Sequence, residues 1–269
     1  MLRPMKRLVL TISFAFALVA AGCGGAPPVA DAPTDGPADA RLPAGWADSD
    51  ERLVTVLATL GQGHARSDAW GFDEVEAVLA YWEPDLVLVD VPPTSLAAAV
   101  AGDADDDVFL AMHPEVTEVV LPRAADLGYA VQAIGGATLE GLEDRQRWDA
   151  DNPAGPPNRL LIAMTARLRA LWIANEAENN PLWLHGDEYL EASWLYFAWL
   201  LYEVEEDLGA DGELRRMART TRAMGTILDT TDARRVLILV NPGARWFVEG
   251  MVDAREDVRR VPGASLFRP

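Results

Sequence analysis

Two residues that could do chemistry stand at the ends of apolar runs. The run Leu53-Val54-Thr55-Val56-Leu57-Ala58-Thr59-Leu60 leads into Gly61-Gln62-Gly63-His64. The run Asp85-Leu86-Val87-Leu88-Val89 leads into Asp90 and then Pro92-Pro93. An imidazole near a carboxylate can activate water, serve a leaving atom or hold a divalent metal. Open α/β sheets build sites in this way, from side chains at the C-terminal ends of parallel strands. His64 and Asp90 are therefore the candidate catalytic pair, with Gly61 and Gly63 as binding positions beside them. Plainer roles stand next to these. His64 can satisfy backbone groups after a tight glycine turn, and Asp90 can cap a helix that opens at Thr94.

The surrounding chain alternates in a βα manner. Strands are expected at Leu53–Thr59, Leu86–Val91, Tyr129–Ile134 and Arg235–Val240, with Asp257–Val261 as an edge strand. Leu86–Val91 is continuously apolar, which predicts burial on both faces. Helices are expected over Asp73–Trp82, Thr94–Ala101, Glu115–Leu127 (bent near Pro122) and Leu139–Trp148. The middle of the chain is helical, over Arg159–Glu178, Asp187–Asp207 and Glu213–Asp229, and a last helix runs from Ala244 to Ala254. Leu190, Trp194, Phe197, Leu201, Val204 and Leu208 share a stripe, which at helical spacing reads as core. The acidic run Asp103 to Asp107 reads as a solvated loop, because its residues are consecutive rather than spaced like a calcium loop. The fold class is α/β: an open, mostly parallel sheet flanked by helices, with an inserted helical region.

Residues 1–22 read as an export signal, with Arg3, Lys6 and Arg7 ahead of the apolar stretch Leu8 to Ala21. The ending Leu18-Val19-Ala20-Ala21-Gly22-Cys23 looks like a bacterial lipoprotein box, which implies acylation of Cys23 and anchoring to a membrane. An ordinary secretory signal with a leftover thiol is the alternative. Gly24 after the cysteine implies outer-membrane sorting if the host is Gram-negative. Cys23 is the only cysteine, so an intrachain disulfide is excluded. Residues 23–50 are rich in Pro, Ala, Gly and Asp and read as a tether. Residues 51–262 suit one domain, and 263–269 form a tail.

The formal net charge is −19. Without the three basic residues of the signal, 20 basic residues face 42 acids, a net of −22. That balance argues against nucleic acid as a partner and against docking on anionic lipid. A small molecule or peptide remains open as ligand.

The stretch Gly61-Gln62-Gly63-His64, followed by Pro84-Asp85-Leu86-Val87-Leu88-Val89-Asp90-Val91-Pro92-Pro93, resembles the erythromycin-esterase/TraB/Tiki/ChaN-like superfamily. His113-Pro114-Glu115-Val116-Thr117-Glu118-Val119-Val120-Leu121-Pro122 and Leu127-Gly128-Tyr129-Ala130-Val131 resemble further stretches of its bacterial members. Arg235-Val236-Leu237-Ile238-Leu239-Val240-Asn241-Pro242-Gly243-Ala244-Arg245-Trp246-Phe247 falls where the family has its second Gly-x-x-His. The resemblance implies a hydrolase-like fold whose two histidines and one acid gather at the sheet's C-terminal edge, with metal-dependent members among the active ones. His64 matches the first histidine, and Asp90 the acid, where Glu is usual. The second motif is degenerate: Asn241 replaces Gly and Ala244 replaces His, leaving Gly243 and, beside it, Arg245 as binding positions. Arg245 reads either as an anion contact or as a solvated side chain. His113 and His185 read as surface residues.

Three functional expectations follow. The first is a lipid-anchored, catalytically impaired relative that keeps the fold and a ligand cleft, since alanine at 244 can neither ligate a metal nor move a proton. The second is a working esterase or peptidase that uses His64 and Asp90 with water or a divalent metal. The third, by analogy with the ChaN-like branch, is a haem- or iron-binding lipoprotein, although the sequence carries no haem-attachment motif.

Overall fold

Strands that are apolar without interruption need cover on both faces, and the fold supplies it. A computed structural model of the chain describes residues 51–103, 107–151, 159–195 and 212–267. The expected export signal with Cys23, the expected tether and residues 196–211, where the later part of the expected long helix falls, lie outside the described residues.

The first half runs β1 (Arg52–Ala58), a 3-10 turn (Gly61–Arg66), α1 (Phe72–Trp82), β2 (Leu86–Val89), α2 (Pro93–Ala101) and α3 (Val108–Met112). A π turn (Val116–Val120), α4 (Leu121–Leu127) and β3 (Ala130–Ala133) follow. The inserted helices are α5 (Leu139–Asp151), α6 (Arg159–Ala174), α7 (Pro181–Leu184) and α8 (described over 187–195). The chain closes with α9 (Glu213–Thr230), β4 (Arg235–Val240), α10 (Arg245–Asp253), β5 (Val258–Val261) and a 3-10 turn (Gly263–Phe267). The expected bend near Pro122 takes the form of the π turn. Proline has no N–H and its ring crowds the carbonyl four residues back, so the ladder widens. The Leu121 N–H accordingly bonds back to Val116.

All five strands are parallel, in the order β3-β2-β4-β1-β5. Alternate residues serve opposite faces. Leu53, Leu57, Val87, Val89, Leu237 and Leu239 meet Val75, Leu79 and Trp82 of α1 and Trp183, Leu184 and Tyr189 of the insertion. Val54, Val56, Leu86, Leu88, Val236 and Ile238 meet Met224 and Leu228 of α9 and Phe247, Val248 and Val252 of α10. Connections that move from β1 toward β3 use the first face, and those that move back to β4 and β5 finish on the second. Right-handed crossovers demand that division.

The topology places the site. After β2 the chain moves outward to β3, and after β4 it moves the opposite way to β5. Since β2 and β4 are neighbours, the connections diverge at their C-terminal ends and leave a crevice there.

Several expectations need correction. His185 is buried and His113 is half-buried, because each imidazole has hydrogen-bond partners inside the fold. Arg245 is neither solvated nor exposed to ligand: it is fully buried among backbone carbonyls. Asp107 is not merely a loop residue, since its carboxylate caps α3 by accepting from the Phe109 and Leu110 N–H groups. Trp194 is half-exposed rather than core, while Phe197 and the later residues of its stripe lie outside the described residues. No helix among the described residues is long and apolar enough to cross a membrane.

Candidate functional site

The crevice between the ends of β2 and β4 has a volume of about 380 Å³. Its floor includes Thr59, Leu60 and Gly61 beyond β1, Asp90 beyond β2, and Asn241 and Pro242 beyond β4. His113 comes from the turn after α3, Arg145 from α5, and Arg216 and Arg219 from α9. Among the described residues, three arginines and one histidine share the lining with one carboxylate, on a chain whose overall charge is strongly negative.

Asp90 is held from two sides. Asn241 donates from Nδ2 to Asp90 Oδ2 at 3.0 Å, and the Arg216 guanidinium lies 3.8 Å from the same oxygen. The other end of the Asn241 amide accepts from the Ala244 N–H at 3.0 Å, which opens α10. Arg219 donates from Nε to the Gly136 carbonyl at 2.7 Å. Gly136 can lie there because it lacks a side chain: a Cβ would stand 2.1 Å from the Arg216 carbonyl oxygen. Gly61 is required at its place for a similar reason. Its φ is +55°, and a Cβ would stand 2.4 Å from the Met112 carbonyl oxygen.

His113 and Glu115 form a second charged unit. Nδ1 of His113 lies 3.2 Å from Oε1 of Glu115, whose side chain is 1% exposed. Oε2 of Glu115 makes no hydrogen bond, although the Thr59 hydroxyl lies close enough to favour the charged form. Burial works against charge on both groups, and mutual attraction overrides it. The His113 pKa is raised by the hydrogen bond and charge of Glu115, with Asp90 adding and Arg216 opposing. The Glu115 pKa is lowered by the hydrogen bond and charge of His113.

His64 is placed otherwise. Its ring does not line the crevice. Nε2 accepts from the Leu60 N–H at 2.9 Å, and Nδ1 donates to the Trp70 carbonyl at 2.5 Å. The ring packs edge-on against Trp70, with centroids 5.4 Å apart. Both nitrogens are therefore committed. Burial lowers the His64 pKa, against the opposing charge of Glu115 and the Trp70 carbonyl. His185 does the same work nearby: Nε2 accepts from the Ala58 N–H at 3.0 Å, and Nδ1 donates to the Pro181 carbonyl at 2.7 Å. The cause lies in the sheet. β5 pairs with β1 only as far as Thr55, so the outer edge of β1 beyond that point needs side-chain partners. The two imidazoles, with Trp70 donating from Nε1 to the Ala58 carbonyl, supply them.

The candidate residues thus divide. Asp90 and Gly61 line the crevice, while Gly63, Gly243, Arg245 and His64 do not. Arg245 donates from Nε to Glu249 at 2.6 Å and from its terminal nitrogens to the carbonyls of Leu184 and His185, each at 2.8 Å. It pins the insertion to α10. Ala244, where the resemblance expects histidine, is a buried methyl in the core beside Phe247. His113, Glu115, Arg145, Arg216 and Arg219 were not picked out as site residues by sequence reasoning. The spacing His113-Pro114-Glu115 and the i,i+3 pair Arg216/Arg219 are the signals that could have found four of them.

Among the described residues, no three His, Cys, Asp or Glu side chains come together in a way that could hold a metal ion. Among the described residues the donor set does not fit the metal-assisted site that the resemblance implied. Comparison with protein-family models, with curated proteins and with solved structures finds no match for this chain.

Proposed function

We propose that this chain is a lipid-anchored extracytoplasmic protein whose crevice binds a small anionic ligand. One observation carries the binding reading. Among the described residues, the lining brings Arg145, Arg216, Arg219 and His113 to the same crevice as Asp90. Guanidinium groups at a crevice wall can hold carboxylate, sulfate or phosphate oxygens through paired, charge-assisted hydrogen bonds. The anchoring part rests on the order of basic start, short apolar stretch and Gly22-Cys23 in the sequence. Turnover by His64 and Asp90 draws no support from this geometry, since His64 is engaged with backbone on both ring nitrogens.

Calorimetric titration of the full chain carrying Cys23→Ser with a panel of small carboxylates, sulfate and phosphate tests the reading. Binding that falls with added salt and drops at least about tenfold in Arg216→Met is expected. Absence of binding across the panel, or equal affinity in Arg216→Met, would overturn it.

A further inference from the structure

A bare sulfate or phosphate leaves most of the crevice unfilled. A cavity of about 150 Å³ holds one benzene ring, and the crevice has about 380 Å³. Its lining includes Leu60 beyond β1, Phe109 and Met112 of α3, Leu142 of α5 and Pro242 beyond β4. Apolar and polar lining positions adjoin along the chain. Met112 precedes His113, and Leu142 stands one turn before Arg145 on α5. A molecule that reaches the polar groups comes against apolar ones as well.

The make-up of α3 explains why apolar surface is left there. Its five residues, Val108 to Met112, are all apolar, and a helix of one turn cannot bury every side. Phe109 and Leu110 take the core side, and Met112 keeps 40% of its surface exposed beside the crevice. This short helix is fixed at both ends. The Asp107 carboxylate caps its start. At its end Gln62 donates from Nε2 to the Ala111 carbonyl at 3.1 Å, and the Met112 carbonyl lies against Gly61. Apolar surface held in this way needs little further ordering when a ligand arrives. The unbranched Met112 thioether can still adapt its rotamers to the shape of that ligand.

We propose that the ligand is an apolar carboxylate. Its hydrocarbon body, about the size of one ring, is seated on Leu60, Met112 and Leu142, and its charged end is that of the anion reading, on which this step rests. Burial of apolar surface is non-directional and grows with area, so affinity follows the size of the body.

The full chain carrying Cys23→Ser is titrated calorimetrically with acetate, butyrate and phenylacetate, and with phenylacetamide as the uncharged counterpart. Affinity is expected to rise about threefold for each methylene added from acetate to butyrate, and phenylacetate to bind at least about thirtyfold more tightly than acetate. The heat-capacity change of binding is expected to be more negative for phenylacetate than for acetate. In Met112→Ala the ratio of phenylacetate to acetate affinity is expected to fall at least about threefold. Equal affinity for acetate and phenylacetate overturns the apolar body and leaves the anion reading standing. Equal affinity for phenylacetate and phenylacetamide overturns the charged end, and the anion reading with it, while a rise from acetate to phenylacetate still upholds the body. Failure of phenylacetate to bind overturns this inference, and acetate or sulfate that binds all the same keeps the anion reading. The ligand series is measured on unsubstituted Met112, so it decides the matter even if Met112→Ala does not fold.

Discussion

Asn241 donates from Nδ2 to Asp90 Oδ2 at 3.0 Å and so ties the end of β4 to the end of β2. Its other amide atom, Oδ1, accepts from the Ala244 N–H. One side chain therefore positions the crevice carboxylate and braces the turn that leads into α10. The substitution that departs from the resembled motif is the one that fastens this rim together.

Asn241→Ala removes both bonds. A loss of about 1–2 kcal/mol is expected, chiefly from the lost hydrogen bond to a charged group, since the Ala244 N–H keeps the Asn241 backbone carbonyl at 2.9 Å. Urea unfolding of the two proteins measures it. Equal midpoints would show that neither bond contributes.

His185 makes stability depend on pH. Burial, reinforced by the charge of Arg245, pushes its pKa down to about 3 from an ordinary 6.5. The unfolded chain therefore takes up a proton that the folded chain refuses. The contribution of neutral His185 is complete above pH 6.5 and is lost progressively as pH falls from 6.5 toward 3. The loss is of order 4 kcal/mol at the bottom of that window. His64, lowered chiefly by burial, adds to the same slope. In His185→Gln the difference in unfolding free energy between pH 7 and pH 4 is expected to shrink. An unchanged difference would contradict the assignment.

Arg245→Ala takes their arginine donor from the Leu184 and His185 carbonyls and a Glu249 oxygen, while the Gly186 carbonyl keeps the Leu190 N–H. Glu249 keeps Arg260 at 3.1 Å, which softens the loss. A destabilisation of about 3–5 kcal/mol is expected. Arg245→Lys should recover little of it, because one ammonium cannot match a planar fork. Thermal unfolding of both variants is the check, and full recovery in the lysine variant would refute the fork argument.

Gly61→Ala combines a positive φ with a backbone clash against Met112. Relief requires α3 to move, and His113 follows α3 directly. A cost of at least about 2 kcal/mol and weaker anion binding are expected together. Denaturation and sulfate titration of one preparation measure both. Native-like values for the two would show that the turn yields without disturbing the crevice.

Cys23→Ser should release the protein from the membrane. Expressed in a bacterial host, the unsubstituted chain is expected in the detergent phase with incorporated palmitate, and the variant in the aqueous phase without it. Palmitate label absent from the unsubstituted chain would overturn the anchor.

The sequence by itself determined the parallel α/β sheet and most of its elements. Leu86–Val89 and Arg235–Val240 are apolar at every buried position, and Gly and Pro residues punctuate the connections. Those signals are local, so they survive in a linear reading. It also placed Asp90 at a strand end, where the crevice lies. Only the tertiary structure decided what each histidine does. His64 and His185 turn inward because β5 stops at Val261 and leaves the edge of β1 short of partners, a fact of pairing register that lies far along the chain. His113 lines the crevice while its Nδ1 meets the buried Glu115 carboxylate. Asn241 reaches Asp90 because β2 and β4 are neighbours although they are distant in sequence. Imidazole and guanidinium groups are read by what surrounds them, and for these residues the surroundings come from other strands and helices.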